Sequence, residues 1–444
     1  MEWKKEDCRK TAEELIDFLE KSPTCFHAVE NMAEMLKAEG FKELKEEESW
    51  ELKERGRYYV TRNASSLIAF QIPGKDFSGF HIMASHSDSP TFKIKENPEM
   101  HAGQYVKLNV EKYGGMLCAP WFDRPLSVAG RLVVEEKGRL VTKLVKVDRD
   151  LVLIPNLAIH MNREVNDGYK YNAQVDMLPL YGGADAEGTF MKTVAESAGV
   201  CEKAILGHDL FLYNRVKGSI WGASGEFVSC GRLDDLQCAF SSLKGFLKGE
   251  CGDSVPVHAV FDNEEVGSST KQGADSTFLE DVLRRINRGA GRTEEDYYRA
   301  LASSFMISGD NAHAVHPNRA DMADPVNRPY INKGIVIKYH GGQKYTTDAV
   351  SAAVFKSFCR RAGAPWQIYT NRSDIAGGST LGNLSSRHVA VNAVDIGLPQ
   401  LAMHSPYETA GIYDTCYLIA VAKEFFSSAV KAVGGGSYEI GGRG

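Results

Sequence analysis

The sequence predicts an α/β fold: a mixed, mostly parallel central sheet covered by helices, with a β-rich domain inserted into it. Three observations predict this. From about residue 228 onward, strand-like apolar runs alternate with helical stretches, the texture of strands joined by helical crossovers. Residues 1–92 carry two helical stretches followed by a hairpin and a buried strand. Between 93 and 227 the helical signals thin out, and short Val- and Leu-rich runs are broken by glycine and charged turns. The domain reading is therefore residues 1–92 with 228–444 as one body and 93–227 as the insert.

The elements follow in order. "MEWKKEDCRKTAEELIDFLEK" reads as an amphipathic helix with Leu15, Ile16, Phe18 and Leu19 on its apolar face. "SPTCFHAVENMAEMLKAEG" restarts a helix after Ser22-Pro23 and stops at Gly40. "RYYVTRNASSLIAFQIP" reads as a hairpin turning near Asn63, and "GFHIMASHSDSP" as a buried strand that ends in a polar loop. In the insert, "QYVKLNVEKYGG", "AGRLVVEEKGRLVTKLVKV" and "DLVLIPN" are β-like, and the first clear helical signal is "GTFMKTVAESAG". In "GRLDDLQCAFSSLKGFLKG", Leu236, Phe240, Leu243 and Leu247 share one helical face. "VPVHAVF", "SSFMISG", "GIVIKY", "WQIYT" and "VAVNAVDI" are strand-like. "TDAVSAAVFKSFCRRAG" and "TCYLIAVAKEFFSSAVKAVGGG" are the clearest helices, the second predicted to run to its closing glycines.

Composition narrows the function classes. The 444 residues are 43% hydrophobic and 25% charged, which fits a soluble globular chain with ample core. A net charge of -6 with scattered Lys and Arg gives no basic tract, so nucleic acid is not an expected partner. No apolar window approaches the ~18 residues of a membrane span. The charged N-terminus lacks the apolar core of a signal peptide. Nine cysteines without CxxC spacing read as reduced, mostly buried thiols of a cytoplasmic protein; Cys25, Cys118, Cys238 and Cys416 sit in or beside apolar stretches.

In open α/β sheets, ligands bind beyond the carboxyl ends of the strands. Those ends carry His86 and Asp88; Asp262, Glu264 and Glu265; Asp310, with His313 and His316 beyond; and His404 with Glu408. The helix of "GRLDDL" opens with Asp234 and Asp235. Each alone has an ordinary explanation: acids favour a helix N-terminus, and a single His or Glu pair sits well in a solvated loop. Together they form an imidazole and carboxylate set suited to zinc. The absence of thiolates points to a catalytic rather than a closed structural site. In "HSD", side chains two apart on an extended chain point the same way, so Asp88 reaches back to His86, the usual support of a metal-bound imidazole. In "FDNEEVGSST" the adjacent Glu264 and Glu265 are expected to diverge, one toward a metal and one toward a reacting water.

The stretches "SPTCFHAV", "SHSDSP", "NREVND", "GRLDDL", "DNEEVGS", "DNAHAVHPN", "GGSTLG" and "LAMHSPYE" resemble, in order, the aspartyl-aminopeptidase-like family of zinc aminopeptidases, which includes vacuolar aminopeptidase I. The matches span residues 22 to 408. The resemblance implies a zinc-peptidase-like catalytic domain with two zinc ions per subunit, although cobalt or manganese suit an N/O site nearly as well. It implies that His86 and Asp310 bind one ion, that Glu265 and His404 bind the other, and that Asp234 bridges them. Glu264 is implied as general base, Asp88 as the supporting carboxylate, and Gly378, Ser379 and Thr380 of "GGSTLG" as substrate-binding. It further implies a homo-oligomer, a tetrahedral dodecamer built from dimers. In that assembly His160 of "LAIHMNRE" reaches the active site of a neighbouring subunit and stabilises the oxyanion. The implied reaction is removal of the N-terminal residue of a peptide substrate. A cis peptide bond between Asp234 and Asp235 is expected by the same resemblance.

One departure bears on specificity. Aspartyl-selective members carry a basic residue just before a Gln in the loop that here reads "HGGQKYTTD", and the aligned position is Gly342. Lys338, His340 and Lys344 are near but do not replace it, so neutral N-terminal residues are expected to be accepted at least as well as acidic ones. The site loops alone also fit a metal-dependent carboxypeptidase or deacylase, which would not require a free amine. A non-catalytic scaffold is the third reading, opposed by the presence of every proposed ligand together with the base.

Overall fold

The computed structural model describes residues 3–378 and 380–441 of the chain. At its centre is a nine-stranded sheet in the order Lys42–Leu44, Arg57–Arg62, Ser66–Gln71, Val255–Phe261, Phe80–His86, Phe305–Gly309, Asn392–Gly397, Ile335–Tyr339 and Trp366–Thr370. Five of the pairings are parallel and three antiparallel, so the sheet is mixed and mostly parallel. The four strands from Val255–Phe261 to Asn392–Gly397 are mutually parallel and buried almost throughout. Burial on both faces explains why they read as unbroken apolar runs without alternation.

Helices cover both faces. Lys5–Lys21, Cys25–Ala38, Leu233–Lys248, Ala349–Ala362 and Ile412–Phe426 pack on one core. Phe278–Gly289, Glu294–Ala302 and Leu381–Ser385 pack on the other. Leu236, Phe240 and Leu243 are buried as their spacing predicts, with Leu247 half-buried beside them.

The last predicted helix is shorter than expected. It ends at Phe426, and the residues beyond form a hairpin of Ala429–Gly434 and Ser437–Gly441. Ser427 and Ser428 turn their hydroxyls back onto the carbonyls of Lys423 and Glu424, closing the helix. Gly434, Gly435 and Gly436 all have positive φ, which supplies the hairpin turn rather than a helix cap.

The insert is a six-stranded antiparallel sheet whose strands run from Thr91 to Asn214, around its own core of Phe92, Trp121, Val128, Phe190 and Leu210. Beyond it, Ser219–Trp221 pairs with Phe227–Cys230 in a separate five-stranded sheet that also holds Glu408–Gly411. All nine cysteines are free, and five are buried. Among the described residues, no helix is long and apolar enough to cross a membrane.

Candidate active site

The parallel strands end at one edge of the sheet, and their loops converge there. Phe261 pairs with His86, so "DNEE" and "HSD" leave the sheet at the same level. Asp310 follows its strand directly, and Asp234 sits at the start of the helix Leu233–Lys248. His404 lies at φ 67 in the loop between Pro399–Leu401 and Glu408–Gly411.

These loops assemble three overlapping groups of ligand atoms, each within 4.8 Å: His86, Asp234 and Asp310; Asp234, Glu265 and His404; and His86, Glu264 and Glu265. Asp234 is central. Its Oδ1 lies 3.5 Å from His86 Nε2 and its Oδ2 lies 3.4 Å from His404 Nε2. His404 Nε2 is also 3.5 Å from Glu265 Oε2. The Asp234-Asp235 peptide bond is cis.

The far side of each imidazole is held by an acceptor. His404 Nδ1 faces the Gly115 carbonyl at 2.6 Å, and a carbonyl only accepts, so Nδ1 carries a proton and Nε2 is the nitrogen turned toward Asp234 and Glu265. His86 Nδ1 lies 3.1 Å from the Asp88 carbonyl and 3.3 Å from Asp88 Oδ1, which likewise places a proton on Nδ1. Asp88 thus reaches back to His86 as the spacing predicts. It does more than that: Oδ1 accepts the Glu264 N–H at 3.1 Å and Oδ2 accepts the Glu265 N–H at 3.2 Å.

The adjacent glutamates keep different company: Glu265 joins Asp234 and His404 in one group, and Glu264 does not. They lie in the 3₁₀ turn Glu264–Val266 entered through Asn263 at φ 63, and with His86 their ligand atoms gather into one group. The turn is pinned by Asp88, whose carboxylate accepts both backbone N–H groups.

Electrostatics follow from crowding acids away from water. Burial raises Glu265 well above the usual carboxyl range, with Asp234 adding to it. Burial likewise pushes Glu264 up to about 7; His86 pulls the other way, and the charges of Asp310, Asp88 and Asp234 add to the rise. For Asp234, burial opposes ionisation, but contact with His404 and His86 outweighs it and holds the carboxyl low. Burial disfavours charging of His404, but Asp234 and Glu265 hold it up at about 10.

The residues fit a divalent metal centre. Asp234 Oδ1 and Glu265 Oε1 are buried without a hydrogen-bond partner. Buried acceptors of this kind are normally satisfied, and cations on an N/O donor set would satisfy them while offsetting the crowded negative charge.

A cavity of about 280 Å³ opens onto this cluster. Glu264, Asp310 and His404 line it with Ala312, Lys338, Tyr345, Tyr369, Met403, Gly378 and Thr380. Gly378 and Thr380 therefore reach the cavity, but the Thr380 hydroxyl is engaged by Asp395 at 2.6 Å. Ser379 lies outside the described residues. Lys338 is buried, 3.5 Å from Asp310 Oδ2. His160 is not brought to the cluster within this subunit; it sits on an exposed turn of the insert.

Sequence reasoning left several supporting residues without a role. Glu408 accepts the backbone N–H of Asp234 and of His404. Asp235 Oδ2 accepts the His86 N–H and Oδ1 the Asn311 N–H. Tyr113, from the insert, donates to Asp88. Glu408 and Asp235 stood beside predicted ligands as acids in otherwise apolar surroundings; Tyr113 had no local signal.

Three comparisons bear on this geometry. The family model described as aminopeptidase I zinc metalloprotease (M18) matches residues 18–426. A Clostridium acetobutylicum protein named "Probable M18 family aminopeptidase 2" is 49% identical over 426 residues, covering 94% of this chain and 98% of the relative. Among solved structures, Ape4 in its complex with Nbr1 superposes with a TM-score of 0.92 at 35% identity, over 95% of this chain and 86% of that one. The mApe1 dodecamer of Saccharomyces cerevisiae superposes with a TM-score of 0.82 at 29% identity, over 95% and 97%.

Proposed function

The chain belongs to the M18 family of aminopeptidase I zinc metalloproteases and is a zinc-dependent aminopeptidase; from that premise we propose that it works with two zinc ions, with Glu264 as general base, and accepts neutral N-terminal residues. The observation that carries this is the position of Asp234: each of its carboxylate oxygens faces a different imidazole, and it is common to two ligand groups. His86, Asp310 and Asp234 would hold one ion, and Glu265, His404 and Asp234 the other. Bound there, zinc supplies Lewis acidity toward the scissile carbonyl and makes water acidic enough to attack near neutral pH.

The chain's own groups do the rest. Glu264 lines the cavity half-buried, and its raised proton affinity suits a group that takes a proton from water and returns it to the leaving amine. Asp88 orients His86 and both glutamate backbones at once. The cavity walls favour an uncharged first side chain: Tyr345, Tyr369, Met403 and Ala312 are aromatic or apolar, and the charge of Lys338 is paired with Asp310. Gly342 and His340 line a different depression.

The active form in this proposal is a homo-oligomer, a tetrahedral dodecamer built from dimers; the solved Saccharomyces cerevisiae relative is a dodecamer. Exposed Leu157, Ile159 and Met161 flank His160 and would form an interface that carries it into a neighbouring site. Nine free cysteines fit a reducing, cytoplasmic setting.

The deciding experiment compares wild type with Glu264→Gln on a panel of aminoacyl reporters and their N-acetylated forms. Expected are loss of about 10²–10⁴-fold in kcat with zinc content and assembly unchanged, cleavage of neutral residues at least equal to acidic ones, and resistance of N-acetylated substrates. Unchanged turnover in the variant removes the base assignment, and cleavage of only Asp and Glu reporters removes the specificity reading.

A further inference from the structure

The strand Tyr105–Tyr113 belongs to the insert's sheet, yet the chain leaving it touches the metal cluster at successive points. Tyr113 Oη donates to Asp88 Oδ2 at 2.7 Å and accepts from Asn263 Nδ2 at 2.9 Å. Gly114 runs tight against Glu265: a Cβ at Gly114 would stand 3.1 Å from the Glu265 Cβ, and its φ of +76° already disfavours any L side chain. The Gly115 carbonyl accepts from His404 Nδ1 at 2.6 Å, and the Leu117 N–H donates to the His404 carbonyl at 3.1 Å.

Both halves of the cluster are therefore reached. On the His86 side the route is through Asp88, which also holds the backbones of Glu264 and Glu265. On the other side the contacts fall on Glu265 and His404 themselves. The strap is anchored in the insert, where the Tyr113 ring meets Phe211 edge-on at 5.6 Å.

We infer that the segment Tyr113–Leu117 is a positioning strap through which the inserted domain sets the ligand geometry of both metal positions, with the Tyr113 hydroxyl acting through Asp88. The inference rests on the two-ion reading above. Tyr113 touches none of the reacting atoms in this arrangement; its task is to hold the Asp88 carboxylate so that His86 and the glutamate turn stay aimed. Partners of metal ligands that act at one remove typically change metal affinity or activity by about 10–100-fold when lost.

The test is Tyr113→Phe in the full-length enzyme, which removes one oxygen and leaves the ring packing intact. Zinc release to a chromogenic chelator is expected to accelerate about 10-fold or more. The visible spectrum of the cobalt-substituted protein is expected to change, and kcat to fall with KM nearly constant. In an Asp88→Ala background, which leaves the Tyr113 hydroxyl no acceptor at that position, the same Tyr113→Phe change is expected to have less than about a twofold effect, because its route is gone. Unaltered zinc release and cobalt spectrum overturn the inference, as does an equal effect of Tyr113→Phe with and without the Asp88 carboxylate. Metal release needs no peptide, so a wild type that binds two ions without cleaving peptides would reject the functional reading and leave the strap standing.

Discussion

Glu408 accepts the backbone N–H of Asp234 at 3.0 Å through Oε2, while its other oxygen accepts that of His404 at 2.8 Å. The backbones of Asp234 and His404 are thus held by a single buried carboxylate. Glu408 sits opposite Cys230 across the sheet pairing, just ahead of the Asp234 turn, which is why one side chain spans both. Glu408→Gln keeps the shape but presents an NH₂ to one of the two N–H groups. Zinc affinity is expected to fall by about 10–100-fold with the fold retained. Titration calorimetry with zinc and far-ultraviolet circular dichroism check the two halves of this prediction.

Leu157, Ile159 and Met161 are 54%, 47% and 72% exposed around His160, a local concentration of apolar surface on the insert. Ile159→Asp with Met161→Asp is expected to shift the protein to smaller species in analytical ultracentrifugation and to lower activity with assembly. His160→Phe is expected to lower kcat while leaving sedimentation unchanged. Full turnover in that variant would remove His160 from the active site.

How far the sequence revealed this site depends on what each residue's signal was. His86, Asp88, Glu265 and Asp310 stood out because polar residues follow apolar strands at their carboxyl ends, which the sheet rule gathers on one edge, whereas Asp234 stood out at a helix start and His404 in a loop. The glutamate pair was legible as chemistry, but the 3₁₀ turn that holds it, pinned by Asp88, was not. Tyr113 was not legible: it is over a hundred residues from Glu264, and only the folded insert delivers it to Asp88. The final hairpin failed for a different reason. "SSAVKAVGGG" continues an apolar pattern that either period accommodates, and the serine cap that ends the helix is a local competition between hydrogen bonds.

Removing the metal should destabilise as well as inactivate. Asp234 and Asp310 are buried and share one ligand group, and Asp234 shares another with Glu265; divalent cations would offset the repulsion among these carboxylates only in the folded chain. Ligand linkage stabilises by about 2.7 kcal/mol when free zinc is 100 times its Kd. Chelator-treated protein is therefore expected to be inactive and to unfold at lower temperature, with both properties restored by added zinc. A transition temperature that does not respond to zinc concentration would contradict this.

Acid stability has a source away from the proposed metal site. His81 is fully buried, stacked on Phe425 with centroids 4.9 Å apart. Its Nδ1 faces the Phe425 carbonyl at 3.2 Å and its Nε2 faces the Val430 N–H at 3.3 Å, a pairing only the neutral ring satisfies. Burial lowers its pKa to about 4, against 6.5 for an ordinary histidine, and the carbonyl contact opposes this only in part. Below 6.5 the unfolded chain takes up a proton that the folded chain refuses until about 4, so stability is complete above 6.5 and is lost as pH falls through that window. The loss reaches about 3 kcal/mol by pH 4 for this one residue. His81→Gln keeps a donor and an acceptor but does not titrate. Denaturant unfolding at pH 7 and pH 4 is expected to show a smaller drop for the variant than for wild type by about that amount. Metal loss in acid affects both proteins alike and cancels in the difference, so equal drops would reject the neutral buried imidazole.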